Sequence, residues 1–427
     1  MLNIQELTLD NGIPVIFIPM EGFQSYVQIC AVGGGSRYET RQVNGISHLL
    51  EHMLFKGTKK RPTAQQIAVE LENLGGTNNA FTQEEMIFFY VSEPGRFFRQ
   101  VTDILSDQLI SYMFSPDDLA GEKGIVIEEM RMRKSDPTVV AFDMISQLFY
   151  GDQVAGMTII GTEEIVGKIT REQLVDYTER YFNRKNMVIV VVGNLPPSKD
   201  VLSILNEYYG AVPDGHIPHK SPIVKIRKTK PSIAIQKFDS PQTSFVLVVP
   251  SPDLTSKALG TTRVFSTILG EGMSSRLFNE VREKRGLVYG IHSYVDAGSD
   301  AGQFMIYGGA SPGNIPEVLE VTKGQLSDLA TCLVGEQELV KAKNIQEGKI
   351  LRQMEDLSDI ASSVTSQRLF LGRVENPRIA LEKLRAVTAE DVQRLAQEMF
   401  TNSNLHLVVV GQHTPQEEEK LERAITF

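Results

Sequence analysis

The sequence predicts an α+β protein of two duplicated half-domains, each a mostly antiparallel sheet with helices packed on one face. Three observations carry this. Residues 169–193 (ITREQLVDYTERYFNRKNMVIVVVG) align without a gap on residues 387–411 (VTAEDVQRLAQEMFTNSNLHLVVVG), an offset of 218 in a chain of 427 residues, so the unit that repeats is about half the chain. Strand-like runs precede helical runs in each half, which argues against a doubly wound parallel sheet. Between the halves, residues 210–231 (GAVPDGHIPHKSPIVKIRKTKP) hold four prolines and no helical period, the composition of a linker.

The elements follow in order. Residues 2–19 form a hairpin about Asp10-Asn11-Gly12, and a second strand covers 25–32, both alternating or apolar with turn residues between them. Residues 43–55 (VNGISHLLEHMLF) are apolar almost all round, the pattern of a buried helix. A helix over 63–74 is stopped by Gly75-Gly76, and a turn through Thr82 leads into an aromatic strand ending at Val91. Residues 115–134 (SPDDLAGEKGIVIEEMRMRK) read as one helix, with Ser115 as cap, Pro116 in first position and basic residues at its end. The second half repeats the plan with strands near 232–249 and 287–309, then helices. The expected boundaries are 1–209, the linker 210–231, and 232–427.

Within the buried helix lies His48-Leu49-Leu50-Glu51-His52. Imidazoles four residues apart share one helical face and can grip one metal ion. A glutamate just before the second histidine offers a base beside it, which is the inverted zincin pattern H-x-x-E-H. Isolated buried histidines are more often bonded to backbone carbonyls, but two that bracket a carboxylate needing compensation favour a metal. A catalytic zinc takes three protein ligands and keeps one position open, so a third must come from elsewhere. On the helix 115–134, Glu122, Ile125, Val126, Glu129 and Met130 form an inward stripe, with Asp117, Gly121, Gly124, Glu128 and Arg131 outward. Glu129 is read as the third ligand and Glu122 as a carboxylate backing a histidine. The ordinary alternative is that both acids pair with buried arginines.

The segments GGGSRYE, GISHLLEHMLFKGTKKR, LGGTNNAFTQEE and EKGIVIEEM resemble the pitrilysin-type (M16) metallopeptidases, within them the short-chain members similar to mitochondrial processing peptidase subunits. The resemblance implies Zn2+ held by His48, His52 and Glu129, a water activated by Glu51, and support from Glu122. It also implies a sheet-edge strand on which substrate lies, with Asn79, Ala80, Phe81 and Thr82 as binding residues. An R-x6-Y pair, here Arg282 and Tyr289, is implied to reach the substrate and the tetrahedral intermediate. Zinc polarises a carbonyl and makes hydroxide accessible near pH 7. The implied activity is endoproteolysis of short unfolded peptides or leader segments in a closed chamber. A non-catalytic scaffold or assembly subunit of the same fold is the alternative, which the intact H-x-x-E-H opposes. The short Gly270-Glu271-Gly272-Met273 segment departs from the long glycine-rich loop of processing-peptidase partners and favours general peptide degradation or maturation.

No stretch reaches membrane-spanning length, the chain opens on a strand without signal features, and Cys30 and Cys332 are too few for a disulfide framework. A cytoplasmic protein without membrane or nucleic-acid partners is expected, and a homodimer is the expected assembly because one chain carries both the zinc motif and the Arg/Tyr pair. The net charge of -10 is uneven: residues 1–215 hold 18 basic and 28 acidic residues, whereas 216–427 hold 25 of each. An acidic wall would favour peptides bearing Lys or Arg. His216 and His219 sit in the linker, where solvated histidines are commonplace.

Overall fold

The computed structural model describes residues 2–226 and 228–426, so Arg227 of the linker and the two terminal residues lie outside the described residues. The chain folds into two compact units. The first comprises Met1–Met130, Met157–Ser221 and Arg352–Val374, and the second Arg131–Gly156, Pro222–Leu351 and Glu375–Phe427.

In the first unit, β1 (Gln5–Thr8), β2 (Pro14–Pro19), β3 (Ser25–Gly33), β4 (Thr77–Thr82), β5 (Met86–Pro94) and β6 (Met187–Gly193) form a six-stranded sheet in the order β1-β2-β6-β3-β5-β4. Only β2 and β6 run parallel; the other neighbours are antiparallel. The hairpin before β2 turns at Gly12, whose φ is 94°, a value glycine adopts without penalty. One face of the sheet carries Cys30, Val32, Ile87, Phe89 and Ile189 into the main core beneath the helices. The other face carries Ile29, Ala31, Phe88 and Val190 against the helix Leu357–Leu371, through Ile360 and Val364. Central strands therefore bury both faces, which explains the near-continuous burial of β3, its Gln28 included, and the unbroken apolar run of β6.

The second unit holds β7 (Ser232–Lys237), β8 (Thr243–Ser251), β9 (Val288–Ala297), β10 (Gly302–Ala310) and β11 (His406–Gly411) in the order β7-β11-β8-β10-β9. Its one parallel pair is β7 with β11. Strand for strand this is the order β2-β6-β3-β5-β4 of the first sheet. The repeat seen in the sequence is equally literal. Thr170 caps the helix Arg171–Tyr181 in a capping box with Gln173, and Thr388 caps Ala389–Met399 in one with Asp391. The helix Pro137–Tyr150 packs its Ala141 and Ile145 against Val246, Val248, Val408 and Val410. Each unit is thus completed by a helix from the opposite half of the chain, which a division at residues 209 and 232 does not capture. Residues 212–226 carry no helix or strand, as the linker composition implies.

Two local expectations change. Residues 77–82, a turn by composition, are an edge strand, as the family resemblance implies, and the turn lies at 73–75. On the helix Pro116–Lys134 the buried stripe is Leu119, Glu122, Val126 and Met130, while Ile125 is 51% exposed. Ile125 precedes Val126 by one residue, about 100° round the helix, and falls outside a buried stripe this narrow.

Candidate metal centre

The helix Ile46–Met53 starts at Gly45, where the chain turns with φ at 94°. A Cβ at that position would stand 2.5 Å from the Ile160 carbonyl oxygen. The first-turn amides are met by Glu39, whose carboxylate accepts from the amides of Gly45 (2.8 Å) and Ser47 (2.9 Å) and from Asn44 Nδ2 (2.9 Å). Ser47 Oγ also donates to it and lies 3.0 Å from the Tyr177 hydroxyl. An acid at a helix N-terminus opposes the helix dipole favourably. Burial pushes the Glu39 carboxyl up, and these donors pull it back. On the apolar face Leu49, Leu50 and Met53 are fully buried. The helix is therefore fixed at its start and along one side, and His48, Glu51 and His52 project from the remaining side, each partly exposed.

The helix Pro116–Lys134 brings Glu129 to them. Glu129 Oε2 lies 3.8 Å from both His48 Nε2 and His52 Nε2, and one ligand atom from each of the three residues falls within 4.8 Å of the others. Ligand atoms around a tetrahedral zinc at about 2.1 Å stand roughly 3.4 Å apart, so this donor set fits the ion with small side-chain adjustments. Among the described residues it is the one group of three or more His, Cys, Asp or Glu that could hold a metal.

Behind the donors, Glu122, only 4% exposed, places Oε2 3.0 Å from His52 Nδ1 and Oε1 2.5 Å from Lys56 Nζ. With the carboxylate accepting a hydrogen bond from Nδ1–H, the Nε2 lone pair is left facing Glu129, the tautomer a metal requires. Glu51 stands beside the donors, and Thr82 Oγ1 on β4 donates to its Oε2 at 2.6 Å. Burial pushes the Glu51 carboxyl up, opposed by Thr82 and His52.

The structure thus gathers His48, His52, Glu129, Glu122, Glu51 and Thr82 in one place. Asn79, Ala80 and Phe81 lie on the same edge strand. Asn79 is exposed and accepts from the Ala80 amide (2.9 Å), Ala80 is buried, and Phe81 stacks on Phe88 with centroids 4.5 Å apart. Arg282 and Tyr289 belong to the second unit and neighbour each other, the guanidinium 5.3 Å from the centre of a phenol ring that is 80% exposed. Sequence reasoning missed Lys56 and Glu39. Lys56 had one available signal, its place one helical turn beyond His52; Glu39 had none, because its role depends on the path of the chain between it and Gly45.

Comparison with known proteins identifies the family. The profile described as insulinase (peptidase family M16) matches residues 22–163, and that described as the peptidase M16 inactive domain matches residues 168–346. An uncharacterised zinc protease of Bacillus subtilis is 30% identical over 400 residues, 93% of this chain and 96% of its own. Another from Mycobacterium leprae is 31% identical over 407 residues, 95% of this chain and 91% of its own. The crystal structure of a protease from Helicobacter pylori superposes with a TM-score of 0.90 at 21% identity, covering 96% of this chain and all of that one; this likeness is one of fold. Taken with the profile matches over both halves, these similarities place the chain in the M16 peptidase family.

Proposed function

We propose that this chain is a zinc-dependent endopeptidase acting on short unfolded peptides or leader segments. The observation that carries the reading is the convergence of His48, His52 and Glu129 within 4.8 Å of one another, with Glu51 on the same helical turn. Zinc bound there supplies Lewis acidity and makes hydroxide accessible at neutral pH. Glu51 accepts the proton lost from water and returns it to the leaving amine. Glu122 and Lys56 hold His52 in the required tautomer. The unpaired side of β4, the last strand of its sheet, offers backbone amides and carbonyls to which an extended peptide can add as a strand. Arg282 and Tyr289 are assigned as donors to the peptide and its developing oxyanion, which a guanidinium and a phenol suit chemically.

The same reading takes the peptide to be preferentially basic, the catalytic space to be a closed chamber, the protein to be a homodimer, and its compartment to be the cytoplasm. Among the described residues, no helix is long and apolar enough to cross a membrane. The test is hydrolysis of an unstructured polypeptide by the purified protein. Internal cleavage is expected, abolished by a chelator and reduced about 10²- to 10⁴-fold by Glu51→Gln, with zinc retained in that variant. Bound zinc without cleavage would favour the scaffold reading, and a Lys-to-Gln peptide cleaved as fast as its parent would remove the basic preference.

A further inference from the structure

The hydroxyl of Thr82 bridges two elements that the proposed reaction needs in register, the edge strand and the base. Resting on the reading of Glu51 as that base, we infer that Thr82 is a positioning residue that holds one oxygen of the Glu51 carboxylate and leaves the other free to take the proton.

The geometry leaves Thr82 little other work. Its Oγ1 has one proton to give and two oxygens in range, Glu51 Oε2 at 2.6 Å and the Ser47 carbonyl at 3.5 Å. The short contact to a carboxylate takes the proton, because charge-assisted hydrogen bonds are short and strong while 3.5 Å is at the limit of any. Thr82 is the one side-chain hydrogen-bond partner of Glu51 among the described residues. The donor is also stiff. Threonine is restricted at χ1, and its backbone is held in a ladder that pairs Thr82 with Ile87 and Ala80 with Phe89. A glutamate on a helix has three side-chain torsions, the last of them broad, so the helix alone does not fix the carboxylate plane. The bond from β4 does, and it ties the plane to the strand on which the peptide would lie.

A side chain that only contacted substrate would change KM, whereas one that aims the base changes kcat. The experiment compares Thr82→Val, which keeps the shape without the hydroxyl, with Thr82→Ser, which keeps the hydroxyl, in the zinc-loaded full chain on an unstructured fluorogenic peptide. Thr82→Val is expected to lower kcat about ten- to hundred-fold with KM within about twofold and zinc content unchanged. Thr82→Ser should restore kcat to within about threefold of the parent. A second arm needs no activity: thermal melts of metal-free Thr82→Val in the parent and in Glu51→Ala, where the valine should lower the midpoint only while the glutamate is present. The inference is overturned if the valine leaves kcat intact, if serine is as damaging as valine, or if the melting shifts simply add. Non-additive melts in a protein that cleaves nothing would uphold the contact and instead refute the endopeptidase reading.

Discussion

His52 stands between two carboxylates with different tasks, Glu129 facing its Nε2 at 3.8 Å and Glu122 its Nδ1 at 3.0 Å. Removing the second should leave the ligand set whole but loosen the ring and its tautomer. Glu122→Gln is therefore expected to weaken zinc about 10- to 100-fold, measured by competition with a chelator. Away from the site, Glu93 is 2% exposed, and neither of its carboxylate oxygens has a well-formed hydrogen bond. Burial pushes it from 4.5 up to about 7, against a smaller pull from the Gly76 amide. A carboxyl raised on folding binds its proton more tightly in the native state, so its stabilising share is full below about pH 4.5 and is lost as pH rises through about 7. Glu93→Gln should thus be more stable than the parent at pH 8, by an amount on the order of 3 kcal/mol, and converge with it below about pH 4.5. The H-x-x-E-H and the two distal glutamates could be read from sequence because spacing alone puts them on helical faces. Glu93 and the task of Thr82 could not, since each depends on which strand packs beside it, and Lys56 had only its spacing from His52 as a signal.

Helix starts and strand edges set the precision of the centre. The helix Ile46–Met53 depends on Gly45, where φ is 94° and an added Cβ would meet the Ile160 carbonyl oxygen at 2.5 Å. Gly45→Ala is expected to cost about 1–3 kcal/mol in backbone strain and to weaken zinc along with the fold. By contrast, a Cβ at Gly124 in the long helix would meet nothing within 4 Å, so Gly124→Ala should stabilise by roughly 1 kcal/mol; melts and chelator competition on the pair check both directions. Capped helices were legible because a threonine followed three residues later by Gln or Asp marks its own helix start, as at Thr170 and Thr388. The edge strand Thr77–Thr82 was legible through the family resemblance alone, because TNNAFT has the composition of a turn and is strand only by pairing with Met86–Pro94.

At the scale of the molecule, duplication explains what could be foreseen and what could not. Matching strand orders in the two sheets follow from one ancestral pattern, and the repeat at 169–193 and 387–411 announces it. The helices Pro137–Tyr150 and Leu357–Leu371 start alike, capped by Asp136 and Asp356, yet each covers the sheet of the opposite half. Apolar periodicity marks such a helix as buried, but two equivalent sheets satisfy its pattern equally, so sequence does not say which it covers. Only one half carries the metal donors, and the account stands on them. The most direct measurement is the zinc content of the purified full-length chain beside a His48→Ala/His52→Ala variant, after loading and dialysis. A single tightly held zinc per parent chain and none in the variant is the expected result; a parent that retains no zinc, or a variant that retains it equally, would contradict the account.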